Sequence, residues 1–172
     1  MWKGIGAILI LLGVAGCLHR WYLQQKEKQE RLEELIQFVH KSIHVMETEK
    51  MKAIDWFLKY KNKRDFLLNE TLSEIAKRLQ TNTYASGHAV WEDVFFEKWQ
   101  KLGFEEDVLQ CLIQLGSGFF GKSRVENIGI LQRGLKELEA LQKKNKEKDA
   151  QERKVWVPVG MLGGVMIIIL FI

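Results

Sequence analysis

Val155-Trp156-Val157-Pro158-Val159-Gly160-Met161-Leu162-Gly163-Gly164-Val165-Met166-Ile167-Ile168-Ile169-Leu170-Phe171-Ile172 closes the chain without one charged side chain. As a helix, these 18 residues rise about 27 Å, close to the hydrocarbon thickness of a bilayer. A second apolar run, Gly4 to Leu18, opens the chain. Trp2, Trp21, Tyr22 and Leu23 extend it, with aromatics at both edges, as the two interfaces of a bilayer favour. The reading is two transmembrane helices, 1–23 and 155–172, around a middle domain, 24–154. Pro158 falls near the start of the second span, where a proline costs least. Gly160 and Gly164 have the GxxxG spacing that lets membrane helices approach closely, and are candidate membrane-helix packing residues.

Charge sets the topology. Every acidic residue, and every basic one except Lys3, lies between the two runs. Arg20, Lys26, Lys28 and Arg31 follow the first run, and Lys136, Lys143, Lys144, Lys146, Lys148, Arg153 and Lys154 precede the second. Basic residues stay on the cytoplasmic side, so the middle is expected to be cytoplasmic. A rival reading starts from Val14-Ala15-Gly16-Cys17, which matches a lipobox. There Cys17 would carry lipid, and the middle would belong to a lipid-anchored or bitopic cell-envelope protein. That topology puts the same cations on the unfavourable side.

The middle holds no proline and one cysteine, Cys111, so it has no disulfide of its own and suits a reducing compartment. Its nearly balanced charge argues against nucleic acid as a partner. It does suit a domain beside anionic membrane lipids.

The expected fold is all-α: a cytoplasmic bundle of about six helices, because apolar residues recur at helical spacing throughout. Leu32, Leu35, Ile36, Val39, Ile43 and Met46 form one face of a helix that continues out of the first span. Met51 to Leu58 suggests a short second helix, and Lys61 to Phe66 a basic loop. Thr71-Leu72-Ser73-Glu74 has capping-box spacing and is expected to open a third helix. Thr81 to Gly87 reads as a polar loop. Val90, Trp91, Val94, Phe95, Trp99 and Leu102 mark a fourth helix, stopped by Gly103. Glu105, Glu106 and Asp107 place negative charge at the start of a fifth, as the helix dipole prefers. A last helix starts at the Ser123-Arg124-Val125-Glu126 capping box, passes Leu131 and Leu138, and runs through the polar stretch 142–154 into the second span.

Gly116-Ser117-Gly118-Phe119-Phe120-Gly121-Lys122-Ser123 satisfies the GxxxxGK[ST] pattern of a phosphate-binding loop. A small membrane NTPase built on it would need a strand before the loop and further strands bearing an acid. Only the following helix is present, so the expected structure is a glycine-permitted turn between helices with Ser123 as N-cap. His40 and His44 share a helix face without further ligands, and read as a surface or packing pair. Cys111 reads as a small core residue. Turning Trp91, Phe95 and Leu102 inward leaves Phe96 or Trp99 near the rim, as candidate partner-binding residues.

Taken over its whole length, the chain resembles the stage III sporulation protein AB family of endospore-forming bacteria. Leu115-Gly116, Phe119-Phe120-Gly121-Lys122-Ser123 and Glu126-Asn127 look like that family's LG…LGxSDxEN turn, and Val159 to Gly164 continues the match. Arg124 stands where the family usually has Asp, and Phe120 where it usually has Leu. The resemblance implies a non-enzymatic platform without cofactor or metal, similar to the inner-membrane platform of type II secretion and type IV pilus machines. It implies a place in the sporulation channel apparatus, in the mother-cell membrane around the forespore. The implied partners are a cytoplasmic secretion-type ATPase and other membrane proteins of the apparatus; membrane lipids and further copies of the chain, in a homo-oligomer, are candidate partners beside them. Lys122 and Arg124, on the matching turn, join Phe96 and Trp99 as candidate partner-binding residues.

Overall fold

Six helices hold the described residues: α1 Trp2–Thr48, α2 Ala53–Lys59, α3 Phe66–Gln80, α4 Gly87–Leu102, α5 Glu106–Phe120 and α6 Arg124–Phe171. The computed structural model describes residues 2–49, 51–60, 66–81 and 86–171, without the side chains of 2–11, 66, 157, 161, 167, 168, 170 and 171. No strand occurs among the described residues. The fold is therefore all-helical, as the periodicity required. Most of the basic loop at 61–66 and of the polar loop at 81–87 lies outside the described residues, as do many side chains of the two apolar runs. Among the described residues, no helix is long and apolar enough to cross a membrane.

The chain divides into two units. One is formed by 30–142, and the other by 1–29 together with 143–172. Within 30–142, all six helices contribute side chains to one core. Leu35, Phe38 and Val39 of α1, Phe57 of α2, Leu72 and Ile75 of α3, Trp91 and Phe95 of α4, Leu112 and Leu115 of α5, and Leu131 and Leu138 of α6 are buried there. Burying each large side chain contributes roughly 1.5–3 kcal/mol. The centre is aromatic. Trp91 stacks at 4.7 Å on Phe95 and at 5.0 Å on Phe119, while Phe38 meets Tyr60 edge-on at 4.9 Å. These separations are the ones tilted and edge-on ring pairs favour. Two indole donors in and around this core are paired. The Trp91 indole donates to Leu112 O at 2.7 Å, and the Trp56 indole donates to Ser42 Oγ at 2.7 Å.

Helix ends explain the turns. Gly103 adopts φ 67°, a left-handed conformation natural to glycine, and its N–H returns to Trp99 O at 3.1 Å. Arg31 of α1 donates to Lys101 O and Leu102 O, and so satisfies carbonyls that the end of α4 leaves without helical partners. Ser86 caps α4 by accepting from Ala89 N at 3.2 Å. Glu106 and Asp107 occupy the first turn of α5 as expected.

Three expectations are corrected. Thr71 does not open α3, which begins at Phe66; the Thr71 hydroxyl donates to Leu67 O one turn back, inside the helix. The capping-box spacing fails because Phe66, Leu67 and Leu68 already extend the apolar periodicity. Pro158 lies well inside the unbroken helix α6 and not near a helix start. Lacking an amide hydrogen, it leaves the carbonyl one turn earlier without its helical donor. Finally, Gly116 to Phe120 form the last turns of α5, so the inter-helix turn is confined to Gly121, Lys122 and Ser123.

In the unit formed by 1–29 and 143–172, two helical segments face each other. Gly160 lies opposite Leu18, where an added Cβ would stand 3.4 Å from the leucine methyl, in ordinary contact. Gly164 is the one buried residue among this unit's described side chains. Gln29 donates to Asp149 at 2.7 Å, and the Arg153 guanidinium sits 5.4 Å from the centre of the Tyr22 ring.

Candidate functional site

The turn between α5 and α6 forms one wall of a cleft of about 380 Å³. Met46 at the end of α1, Met51 and Ile54 around the start of α2, and Phe119 and Phe120 of α5 make its apolar surface, while Lys52, Lys122 and Arg124 bring three cations to it. No acid is among these lining residues. Lys52 and Lys122 are exposed, whereas Arg124 is committed: its guanidinium donates to Met46 O and Glu47 O at the end of α1. A cation at a helix C-terminus also answers the negative end of the helix dipole. Arg124 therefore fastens the start of α6 to the end of α1, and Lys122 is left as the turn's exposed charge.

Asn127 holds the turn closed. It is only 6% exposed, and its Nδ2 donates to Gly121 O at 3.0 Å. Its Oδ1 is buried without a hydrogen-bond partner and lies against Gly121, where an added Cβ would collide with it. Glycine is required there by this close approach, since Gly121 has an ordinary φ of −70°.

The phosphate-loop pattern does not assemble as one. A Cβ added at Gly116 would meet the Trp91 ring at 2.7 Å, so this glycine serves helix packing inside α5. Its amide belongs to the helix and cannot wrap a phosphate. Cys111 is buried, donates to Gly134 O at 3.6 Å, and has its thiol pushed up to about 12, chiefly by burial and next by the charge of Glu137. It stays protonated at neutral pH. His40 and His44 are both exposed on α1. No group of metal-ligating side chains gathers among the described residues.

The four candidate contact residues fall in two places. Lys122 and Arg124 line the cleft; Phe96 and Trp99 do not. Phe96 is 54% exposed on α4, and Trp99 is partly buried against the core. Periodicity had indicated which α4 residues turn inward. It could not indicate Met46, Met51, Lys52, Ile54 and Asn127, which the fold draws together from separate segments. Asn127 carried one signal, an amide on an otherwise apolar helical face.

The family model for stage III sporulation protein AB matches residues 3–172. The chain belongs to the stage III sporulation protein AB family. Membership supports a role in sporulation, among partners of the sporulation apparatus. A solved structure described as stage III sporulation protein AB superposes with a TM-score of 0.66 at 14% identity, covering 73% of this chain and 98% of that one. At that identity the likeness concerns the fold alone. No curated protein matches the chain.

Proposed function

We propose that the chain is a non-enzymatic platform in the membrane of the sporulation apparatus, with 30–142 as the cytoplasmic part that receives a secretion-type ATPase. The observation that carries the membrane half is the exposure of apolar side chains in 1–29 and 143–172. Leu162, Met166 and Ile169 are 68%, 69% and 71% exposed, and Val155, Trp156, Val159 and Val165 are also exposed. Water disfavours a contiguous surface of that kind, whereas lipid accepts it. The cations flanking both runs support a cytoplasmic middle.

The partner half rests on the cleft at the α5–α6 turn. Its apolar surface and its exposed Lys52 and Lys122 suit a protein segment that brings an apolar anchor and a carboxylate. Phe96 offers a second, separate contact. Self-association would add copies of the same surface without changing its chemistry.

Topology mapping tests the reading. A reactive cysteine at Ser86, with Cys17 and Cys111 replaced, should resist a membrane-impermeant thiol reagent in intact cells and react after permeabilisation. Labelling in intact cells would place the middle outside and refute the platform.

A further inference from the structure

A pocket of about 290 Å³ lies between the two helical segments of 1–29 and 143–172. Trp21 and Tyr22 border it on α1, and Lys26, Lys146 and Arg153 supply three cations from the two helices. Its position along the two helical segments is similar: within about three turns on the polar side of each apolar run. Trp21 and Tyr22 close the first run, and Arg153 stands just before Val155.

We propose that this pocket binds the phosphate of an anionic phospholipid headgroup. The proposal rests on the membrane reading above and deepens it by naming the lipid and the residues that hold it. If the apolar runs lie in hydrocarbon, Trp21 and Tyr22 stand at headgroup depth, where amphipathic rings are favoured. The cations then face the layer in which lipid phosphates sit, and basic pockets between membrane helices select anionic headgroups. The acid in the wall, Asp149, is occupied by Gln29, whose amide donates to it at 2.7 Å. Arg153 is held beside the Tyr22 ring, 5.4 Å from its centre. A guanidinium resting on a ring keeps its N–H edge available to a phosphate, and its planar fork matches two phosphate oxygens. A membrane that merely attracted the chain by charge would require none of this arrangement. Lys143, Lys144 and Lys154 carry equal charge nearby and are not among the residues lining the pocket.

The test uses the full chain in detergent, titrated with phosphatidylglycerol and followed by native mass spectrometry. Parallel titrations use phosphatidylcholine and inorganic phosphate. Two triple variants are compared: Lys26→Ala with Lys146→Ala and Arg153→Ala, and Lys143→Ala with Lys144→Ala and Lys154→Ala. The expected result is retention of phosphatidylglycerol by the wild type, weakened at least about tenfold in the first variant, because the charge-assisted hydrogen bonds to the lipid phosphate go with those three side chains. The second variant should stay close to wild type. Equal weakening in both variants would reduce the pocket to general charge attraction and overturn the proposal. So would indifference between phosphatidylglycerol and phosphatidylcholine, or equal competition by free phosphate. Insertion into vesicles is measured alongside. A chain that inserts without headgroup preference loses the pocket alone, and one that does not insert loses the membrane reading with it.

Discussion

Residues 30–142 hide most of their large apolar side chains, Phe96 being an exception, and 1–29 with 143–172 display many of theirs. In the first unit, Trp91, Phe95, Phe38 and Leu112 have no exposure at all. In the second, Leu12, Leu162, Met166 and Ile169 are each well over half exposed. The two units are also bordered differently. The bundle's outer face carries ion pairs such as Arg78 with Glu97 at 2.7 Å and Lys98 with Glu70 at 2.9 Å. The described residues from Val155 onward carry no charge at all. One sequence thus contains two arrangements: a core that buries its own apolar surface, and a helix pair that leaves apolar side chains exposed.

The largest effect should come from the core of the bundle. Trp91→Ala removes the ring at the centre of the aromatic cluster and the indole's bond to Leu112 O, at a cost of about 3–5 kcal/mol. Denaturant unfolding of the chain in detergent measures it. Trp156→Ala, on the exposed helix pair, should change that same transition by less than about 0.5 kcal/mol. Equal losses in both variants would erase the contrast between the units.

Next comes packing at a glycine. Gly116→Val places a branched side chain against the Trp91 ring and should cost about 1–3 kcal/mol through overpacking. A phosphate loop would respond otherwise, by losing nucleotide binding. Unchanged stability with lost nucleotide binding would revive the NTPase reading.

A smaller effect tests the tie between α1 and α2. Trp56→Phe keeps most of the ring and removes the indole donor to Ser42 Oγ, for a loss of about 1 kcal/mol in the bundle's unfolding. A loss near zero would show that the Ser42 bond to Phe38 O suffices alone.

The smallest effect lies on the bundle's outer face. A hydrogen bond and charge from Lys98 lower the Glu70 carboxyl below its ordinary value, and a hydrogen bond from Arg78 lowers that of Glu97. A carboxylate depressed in the folded state adds stability above its unfolded pKa, and that stability is lost as pH falls through the folded value. Melting temperature should therefore dip slightly below about pH 4.5. Lys98→Ala with Arg78→Ala should flatten the dip. Because the pairs are exposed, salt should shrink it as well.

Much of the bundle was legible in the sequence because it depends on local chemistry. The inward residues of α4, the stop at Gly103 and the acidic first turn of α5 all follow from spacing and helix-end preferences. Thr71 was misleading because a capping pattern is only four residues long, and the apolar residues before it already formed a helix. The continuous last helix was expected, but its consequence for Pro158, which then lies inside α6 where a proline is costly, was not. The cleft was half legible. Lys122 and Arg124 belong to one turn, but their partners come from the α1–α2 junction, and no local pattern reveals that Arg124 reaches Met46 O and Glu47 O. Packing between distant segments decides such contacts, and a single sequence does not display it.

On the proposed reading, the exposed side chains of Leu162, Met166 and Ile169 face lipid. Nitroxide labels at Leu162, Met166 and Phe96, introduced singly into a cysteine-free chain in nanodiscs, report local access to oxygen and to a water-soluble nickel complex. Leu162 and Met166 should favour oxygen strongly, while Phe96, exposed on α4, should favour nickel. Nickel access at Leu162 and Met166 as high as at Phe96 would put the helix in water and contradict the claim.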